Sequence, residues 1–392
     1  MRRNLRATRS SLSMKSRVQT MRVCAFCFLV SLGFIPDGAA QRLAAYFDYK
    51  NSFQVFDDGV YKELEYTPVR SFKVGADFVA YINTDSCLKF YYKGNTYTLE
   101  ESRPQNFQCS ENFCIYKMNR RLMKVENGDK TTLCDWAEDY KIGDSIAAFV
   151  DYGDPAFRIY YNGETKALET GVNQGGVREY KVASNLVAYV DAGNGLKVFW
   201  HGKTYDMNVK NFSLSYEVAT DMVCFVDNFN NEFKMFYQGE IITLDQTPPK
   251  EFKSNLNSIA FIDAGGNFNI FYKGETMFVA SYAPDGYFPI GNMILFSYKN
   301  EFKAFFKGKT YLLEKNTVLN NPAIGTVNWR PGVYRDIYAY LDNMGRLKVF
   351  DNGELRANVC YELPTKIQVL NNMIVYNTGV STVNIYYKGK VY

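Results

Sequence analysis

The chain has 392 residues, of which 47% are hydrophobic and 16% aromatic, with a formal net charge of +4 and one histidine. Seven of the 45 basic residues and one of the 41 acidic residues lie in residues 1–40, so the remainder carries 38 basic and 40 acidic residues. This balance gives no ground for nucleic-acid binding. The single histidine, His201, excludes a metal site built from several histidines, and no cofactor is predicted.

Residues 1–40 have the pattern of a secretory signal peptide. Basic residues from Arg2 to Arg22 precede an apolar run from Val23 to Ile35, and small residues precede Gln41. The apolar run is too short for a membrane-spanning helix. We therefore expect cleavage before Gln41, export to the periplasm or the cell exterior, and no transmembrane segment in the mature chain.

Residues 41–392 consist of one sequence repeat that occurs ten times. Each copy has a glycine at a fixed place in its second half, and successive glycines are 34 to 45 residues apart. These closing glycines are Gly59, Gly94, Gly128, Gly163, Gly202, Gly239, Gly274, Gly308, Gly353 and Gly389. A period of this length is typical of solenoids, propellers and related arrays.

Each copy predicts four short strands, which we call A, B, C and D. In the second copy they are Phe72–Val74, Phe78–Ile82, Leu88–Tyr92 and Thr96–Leu99, each alternating at strand period and rich in aromatic or β-branched residues. Turn residues separate them, and the closing glycine falls between C and D. We expect that glycine to adopt a positive φ.

Four antiparallel strands in each of about ten repeats predict an all-β protein with the β-propeller fold. The absence of linkers favours a single ring; two smaller rings, or a ring with divergent end repeats, are alternatives. The first copy begins at strand B, with Leu43 to Asp48, and the last ends at strand D, with Val391 and Tyr392. Ring closure is therefore expected to be one strand short.

The stretch from Ile259 to Val279, IAFIDAGGNFNIFYKGETMFV, shows a strand ending in Asp, a glycine-containing turn and a strand that alternates before an aromatic residue. It resembles the short propeller repeats of the TolB/PD40 type, and the resemblance extends from Leu43 to Tyr392. Such repeats occur in scaffolds, periplasmic adaptors and peptidase accessory domains. The resemblance therefore implies a fold and no particular activity.

Carboxylates recur at the end of strand B, at Asp48, Asp151, Asp191, Asp227, Asp263 and Asp342. Their repetition indicates that they cap the B–C turn by accepting backbone N–H groups. Some are expected to pair with the basic residue that opens strand C, as at Lys197, Lys234 and Lys348. No catalytic or metal-binding residue is predicted. A hydrolase that draws carboxylates from different blades is an alternative.

The residue two before the closing glycine differs between copies. It is aromatic in seven, including Tyr92, Tyr161, Trp200, Tyr237, Tyr272 and Tyr387, and a carboxylate at Asp57, Glu126 and Asp351. Because burying an unpaired charge is costly, we expect this position to be partly exposed. Its rings would then be candidates for stacking on sugars or peptide side chains. The alternative is that they only cover blade edges.

The longest interruption of the repeat, Asn316 to Arg335, contains Trp329, Arg330, Tyr334 and Arg335. Loops on a propeller face often carry function, and Trp and Arg are enriched at binding hot spots. We predict an exported, non-enzymatic propeller that binds a protein or glycan partner. The alternatives are the hydrolase above and a purely structural surface or envelope protein.

Six cysteines lie beyond residue 40: Cys87, Cys109, Cys114, Cys134, Cys224 and Cys360. In an exported protein they are compatible with disulfides, and equally with buried thiols that act as small apolar residues.

Overall fold

The computed structural model describes residues 43–171, 176–210, 215–315, 335–342 and 344–392. These residues form ten small antiparallel sheets, one for each copy of the repeat, and the sheets are arranged in a ring. The predicted β-propeller is therefore confirmed. We number the sheets as blades 1 to 10 in chain order and retain the letters A to D for their strands.

The strands have these bounds. Strands A of blades 2 to 8 and of blade 10 are Ser71–Val74, Asn106–Cys109, Ala137–Ile142, Val177–Val182, Tyr216–Ala219, Glu251–Ser254, Gly286–Ile290 and Lys366–Leu370. Strands B of the ten blades are Leu43–Phe47, Phe78–Ile82, Phe113–Met118, Ile146–Asp151, Leu186–Asp191, Met222–Asp227, Ser258–Ile262, Met293–Tyr298, Ile337–Leu341 and Met373–Thr378.

Strands C are Phe53–Asp57, Leu88–Tyr92, Arg121–Glu126, Ala156–Tyr161, Gly195–Trp200, Glu232–Tyr237, Phe268–Tyr272, Glu301–Phe306, Leu347–Asp351 and Thr382–Tyr387. Strands D are Val60–Glu65, Asn95–Glu100, Asp129–Cys134, Glu164–Thr170, Lys203–Lys210, Glu240–Asp245, Glu275–Ala280, Lys309–Lys315, Glu354–Cys360 and Lys390–Val391. Within the described ranges, blades 1 and 9 have strands B, C and D.

Burial falls from the centre of each blade to its outer edge. All five residues of Phe78–Ile82, strand B of blade 2, are buried because both faces of the sheet pack against neighbouring blades. Strand D of the same blade, Asn95–Glu100, is exposed over its first four residues. Strands A of neighbouring blades contact one another. Strand A therefore lies nearest the centre of the ring and strand D forms the rim.

The ring closes by packing blade 10 face to face against blade 1. The ring centroids of Phe56 and Tyr387 lie 5.8 Å apart in an edge-to-face pair within one shared apolar cluster. The Asn371 side-chain amide also donates to the carbonyls of Leu43 and Gly75, at 3.1 and 3.0 Å. The Tyr387 hydroxyl donates to Asp58 at 3.2 Å, and Lys388 pairs with the same carboxylate. No strand of blade 10 pairs with a strand of blade 1 among the described residues, so apolar burial and these side-chain contacts make the closure.

The strand order places two sets of connections on opposite faces of the ring. B–C turns and D–A connections lie on one face, which we call the B–C face; A–B and C–D turns lie on the other. Near the centre of that other face, successive A–B turns are hydrogen-bonded to each other: Thr220 N–H donates to the Leu256 carbonyl at 2.7 Å, and Leu256 N–H to the Gly291 carbonyl at 3.1 Å. These bonds tie neighbouring blades together.

The closing glycines form tight C–D turns, as predicted. All ten have φ between +77° and +99°, and the residue before each also has a positive φ, such as +45° at His201. Two consecutive positive φ values are the signature of a type I′ hairpin turn, whose twist matches the strands that it joins. The glycine is required because a side chain at its position would be strained.

We predict that Gly202→Val lowers the free energy of unfolding by about 1–2 kcal/mol, measured by urea unfolding, because valine must adopt a positive φ. A Cβ at Gly202 would meet no heavy atom within 4 Å, so the loss isolates backbone strain from steric contact. Gly286 has equal space at the start of a strand and no positive φ, so Gly286→Val is the matched control. Equal unfolding midpoints for the two variants would contradict this explanation.

Candidate binding surfaces

The six aromatic residues predicted two before the closing glycine lie between blades. Each ring faces the strand C of the following blade, and five meet a phenylalanine there edge to face, with centroids 5.2 to 5.9 Å apart. These pairs are Tyr161–Phe199, Trp200–Phe236, Tyr237–Phe271, Tyr272–Phe305 and Tyr387–Phe56. The sixth ring, Tyr92, belongs to the core that blade 2 shares with Val125 of blade 3. The rings thus contribute to packing between blades.

Four of these rings are half-buried, at Tyr161, Trp200, Tyr237 and Tyr272, so the expected partial exposure holds for them. A Cβ at Gly239 would lie 3.4 Å from the Trp200 ring, so the closing glycine of the next blade lets that ring approach closely. Tyr92 and Tyr387 are buried, and the ammonium groups of Lys93 and Lys388 lie 4.9 and 4.7 Å from their ring centroids. The structure shows the packing between blades, and the stacking on sugars or peptides stays a prediction.

The three carboxylates at the same position also contact the next blade. A tyrosine of the following strand C donates to each: Tyr91 to Asp57 at 3.0 Å, Tyr160 to Glu126 at 2.8 Å and Tyr386 to Asp351 at 2.9 Å. The sequence-based reason for tolerating a carboxylate, exposure to water, is therefore incomplete. A half-buried carboxylate is accepted because the next blade supplies a hydroxyl.

The hydrogen bonds and burial at this position shift two pKa values. Burial, followed by the hydrogen bond to Asp57, raises the pKa of Tyr91 to about 12. Burial also raises the pKa of Asp351, although the hydroxyl of Tyr386 opposes the shift. Wherever the carboxylate is present the partner is Tyr, and in the other copies an aromatic ring faces Phe or Val. The two residues therefore behave as a pair.

In blade 3 a buried lysine, which the sequence analysis missed, joins the pair of carboxylate and tyrosine. Lys124 occupies a strand C position that is apolar in the other copies, and its ammonium lies 2.5 Å from Glu126 and 2.6 Å from the Tyr160 hydroxyl. Burial alone would raise the pKa of Glu126, but the hydrogen bonds from Lys124 and Tyr160 outweigh it and lower the pKa. A lysine at a position that is apolar in every other copy was the feature of the sequence that could have revealed this site.

The aspartates at the end of strand B cap the B–C turns, as predicted. Asp227 accepts the N–H groups of Phe229 and Asn230 at 3.1 and 3.3 Å and pairs with Lys234 at 2.7 Å. Burial alone would raise the pKa of Asp227, but the Lys234 ammonium and the turn donors lower it to about 2. No group of three or more His, Cys, Asp or Glu side chains suited to a metal ion occurs in the described part of the chain.

The remaining predicted residues lie on the face of the A–B and C–D turns or outside the described residues. His201 lies in its C–D turn, and its Nε2 is 3.8 Å from Asp221. Arg335 contacts the carboxylates of Glu111 and Asp144. Trp329, Arg330 and Tyr334 lie outside the described residues, as does the predicted signal peptide.

Two of the six cysteines face each other. Cys109 and Cys114 are directly opposite in the A–B hairpin of blade 3, where the corresponding residues of blade 2 are Val74 and Val79. All six cysteines are present as free thiols. Burial and the neighbouring Cys114 thiol raise the pKa of Cys109, which disfavours the reactive thiolate.

A surface that the sequence analysis missed lies on the B–C face of blades 9, 10 and 1. Large apolar side chains at B–C turns and D–A connections are exposed there, and we call them the B–C patch: Met344, Tyr361, Leu363, Val380, Tyr49 and Tyr66. A Cβ at Gly345 would lie 3.2 Å from Leu363, which places the blade 9 turn against the next connection. Large apolar residues at turn tips were the available sequence signal.

The comparisons with known proteins agree with this architecture. A family model described as a 10-bladed beta propeller domain matches residues 38–322. The match covers more than half of the chain, so the chain belongs to this family of ten-bladed β-propellers. The resemblance to TolB/PD40-type repeats is not confirmed, and no curated protein matches the chain.

Solved propellers align with the chain at low identity. Prp20p from Saccharomyces cerevisiae is 8% identical over 53% of this chain and 72% of its own, with a TM-score of 0.33. Hsv2p of Kluyveromyces lactis is 11% identical over 64% and 100%, with a TM-score of 0.32. PorZ of Porphyromonas gingivalis is 10% identical over 86% and 62%, with a TM-score of 0.26. Similarity at this level carries no inference about function.

Proposed function

We propose that the protein is an exported, non-enzymatic propeller whose B–C face binds a protein partner. The observation that carries this proposal is the B–C patch, which gathers exposed Met, Leu, Val and Tyr side chains on three consecutive blades. Contiguous exposed apolar surface on a soluble fold marks interaction sites. The blades beneath it are held on both faces, so the patch is presented by a rigid scaffold.

The chemistry of the patch favours a protein over a glycan. Glycan sites combine an aromatic ring with several hydrogen-bond partners for sugar hydroxyls, whereas Met344, Leu363 and Val380 offer only aliphatic surface. Aliphatic side chains beside tyrosines match the apolar centre of a protein interface. Inside the described ranges, no helix is long and apolar enough to cross a membrane.

We predict that a protein partner is captured by the wild-type chain from the envelope or medium of its source organism and is lost when Tyr361→Ser and Leu363→Ser are combined. Removing two apolar side chains from an interface centre typically weakens binding by 10-fold or more, roughly 1–3 kcal/mol. Binding is then remeasured with the purified partner by calorimetry.

Leu355→Ser is the matched control, because Leu355 is an exposed leucine on strand D of blade 9, away from the patch. Trp329→Ala, made in parallel, tests the predicted role of the insertion. Binding on a glycan array without any protein partner would overturn the protein assignment. Failure of both screens would favour the purely structural role.

The proposed export has its own test. If residues 1–40 direct secretion, the protein recovered outside the cytoplasm should begin at Gln41 when sequenced from its N-terminus, and a chain lacking residues 1–40 should stay inside. Recovery of the full-length chain in the cytoplasm, with Met1 or a downstream methionine at its N-terminus, would contradict this prediction.

A further inference from the structure

A recurrent side-chain contact near the C-terminal end of strand D joins neighbouring blades. Between blades 4 and 5, Glu169 accepts a hydrogen bond from the Tyr189 hydroxyl at 3.1 Å and pairs with the Lys197 ammonium at 2.6 Å. We call this arrangement the glutamate clamp. Blades 1 and 2 repeat it with Glu65, Tyr81 and Lys89. Related contacts involve Glu100 with Tyr116, and Glu314 with Lys348.

The interface between blades 7 and 8 lacks the glutamate and the tyrosine but keeps the lysine. Ala280 lies opposite Phe268 in its hairpin, as Glu169 lies opposite Phe157, so alanine stands at the position of the clamp glutamate. Phe296 lies opposite Lys303, as Tyr189 lies opposite Lys197. The register therefore identifies Ala280, Phe296 and Lys303 as the equivalents of the three clamp residues.

These two replacements accompany an open groove between the outer halves of blades 7 and 8. The groove has a volume of about 530 Å³ and is lined by Ala280 and Met277 of blade 7 and by Phe296, Phe305 and Lys303 of blade 8. Tyr282 and Tyr298 lie at its end on the B–C face, with centroids 4.9 Å apart. Alanine leaves room at the position that Glu65, Glu169 and Glu314 occupy in their interfaces.

The groove is positively charged on balance. Lys303 pairs with Glu301 of its own strand at 2.8 Å, and the side chain of Glu301 is 41% exposed. The clamp carboxylates Glu65 and Glu169, by contrast, are only 13% and 22% exposed. A second lysine, Lys299, lies 5.6 Å from the centroid of the Tyr282 ring. Two lysines and one carboxylate therefore line the groove, together with apolar side chains, tyrosines and Thr310.

We propose that this groove binds an acidic side chain of an extended peptide, whose carboxylate takes the place of the missing clamp glutamate beside Lys303. The peptide's methylene groups would pack on Ala280, Met277 and Phe296. A sugar acid carries the same carboxylate but lacks the methylene chain that Ala280, Met277 and Phe296 can contact. The site deepens the proposed binding function and rests on it.

The test measures binding of two small probes to the purified full chain by calorimetry. The acidic probe is acetyl-Leu-Glu-Leu-amide, and the neutral probe replaces Glu with Gln. We expect the wild-type protein to prefer the acidic probe by roughly tenfold or more, the effect of one hydrogen bond to a charged group. Lys303→Met should abolish that preference. Lys309→Met, an exposed lysine in the same blade, should retain it.

A second variant rebuilds the clamp inside the groove. The double substitution Ala280→Glu with Phe296→Tyr supplies both missing groups, so it should remove binding of the acidic probe while the melting temperature stays equal or rises. This outcome separates loss of the site from loss of the fold. Retained binding in this folded variant would overturn the proposal, as would equal affinity of the wild-type protein for both probes.

A third probe, methyl glucuronide, distinguishes the source of the carboxylate. Tighter binding of this sugar acid than of the acidic peptide would overturn the peptide assignment. Failure of the groove is distinguishable from failure of the proposed function, because a partner that depends on the B–C patch would still be captured by the Ala280→Glu, Phe296→Tyr variant.

Discussion

The structure depends on one constraint: every four-stranded sheet must bury both of its faces, and only its two neighbours can cover them. A single sheet of this size exposes too much apolar surface to be stable alone. The ten sheets satisfy the constraint by forming a ring in which Phe56 of blade 1 meets Tyr387 of blade 10. The tight turns hold the strands of each sheet together, and the hydrogen bonds between successive A–B turns tie neighbouring sheets to one another.

The constraint explains why most candidate residues in the described part of the chain already have a structural role. Aromatic residues that look like binding platforms along the chain are used between blades, as Tyr161 is against Phe199. Carboxylates that look like candidate catalysts cap turns, as Asp227 does, or receive a tyrosine hydroxyl, as Asp57 does. Surfaces with unused chemistry lie where the interface pattern is incomplete or at turn tips, namely the groove of blades 7 and 8 and the B–C patch.

Much of the fold could be predicted from the sequence because its determinants are local. Turn glycines such as Gly202 and alternating strands such as Phe78–Ile82 report on a few adjacent residues, and both predictions are confirmed. The contacts between blades join residues about one repeat apart, so they could not be predicted from the sequence pattern of a single copy. The pairing of Asp57 with Tyr91 was visible only by comparing each copy with the next.

The candidate surfaces were harder to predict for the same reason. The groove coincides with the joint absence of a glutamate at Ala280 and a tyrosine at Phe296, and either change alone looks like ordinary apolar variation. The B–C patch combines residues far apart in sequence, because ring closure packs blade 10 against blade 1 and so makes blades 9, 10 and 1 consecutive.

The central claim is that residues facing each other across a blade interface act as exchangeable pairs. It is tested most directly by a double-mutant cycle at Asp57 and Tyr91, measured by urea unfolding. Asp57→Tyr and Tyr91→Phe should each destabilise the protein, because each leaves a half-buried polar group without its partner. Together they recreate the Tyr161–Phe199 pair, so stability should return, with a coupling energy of about 1–3 kcal/mol. Additive losses in the double variant would contradict the claim.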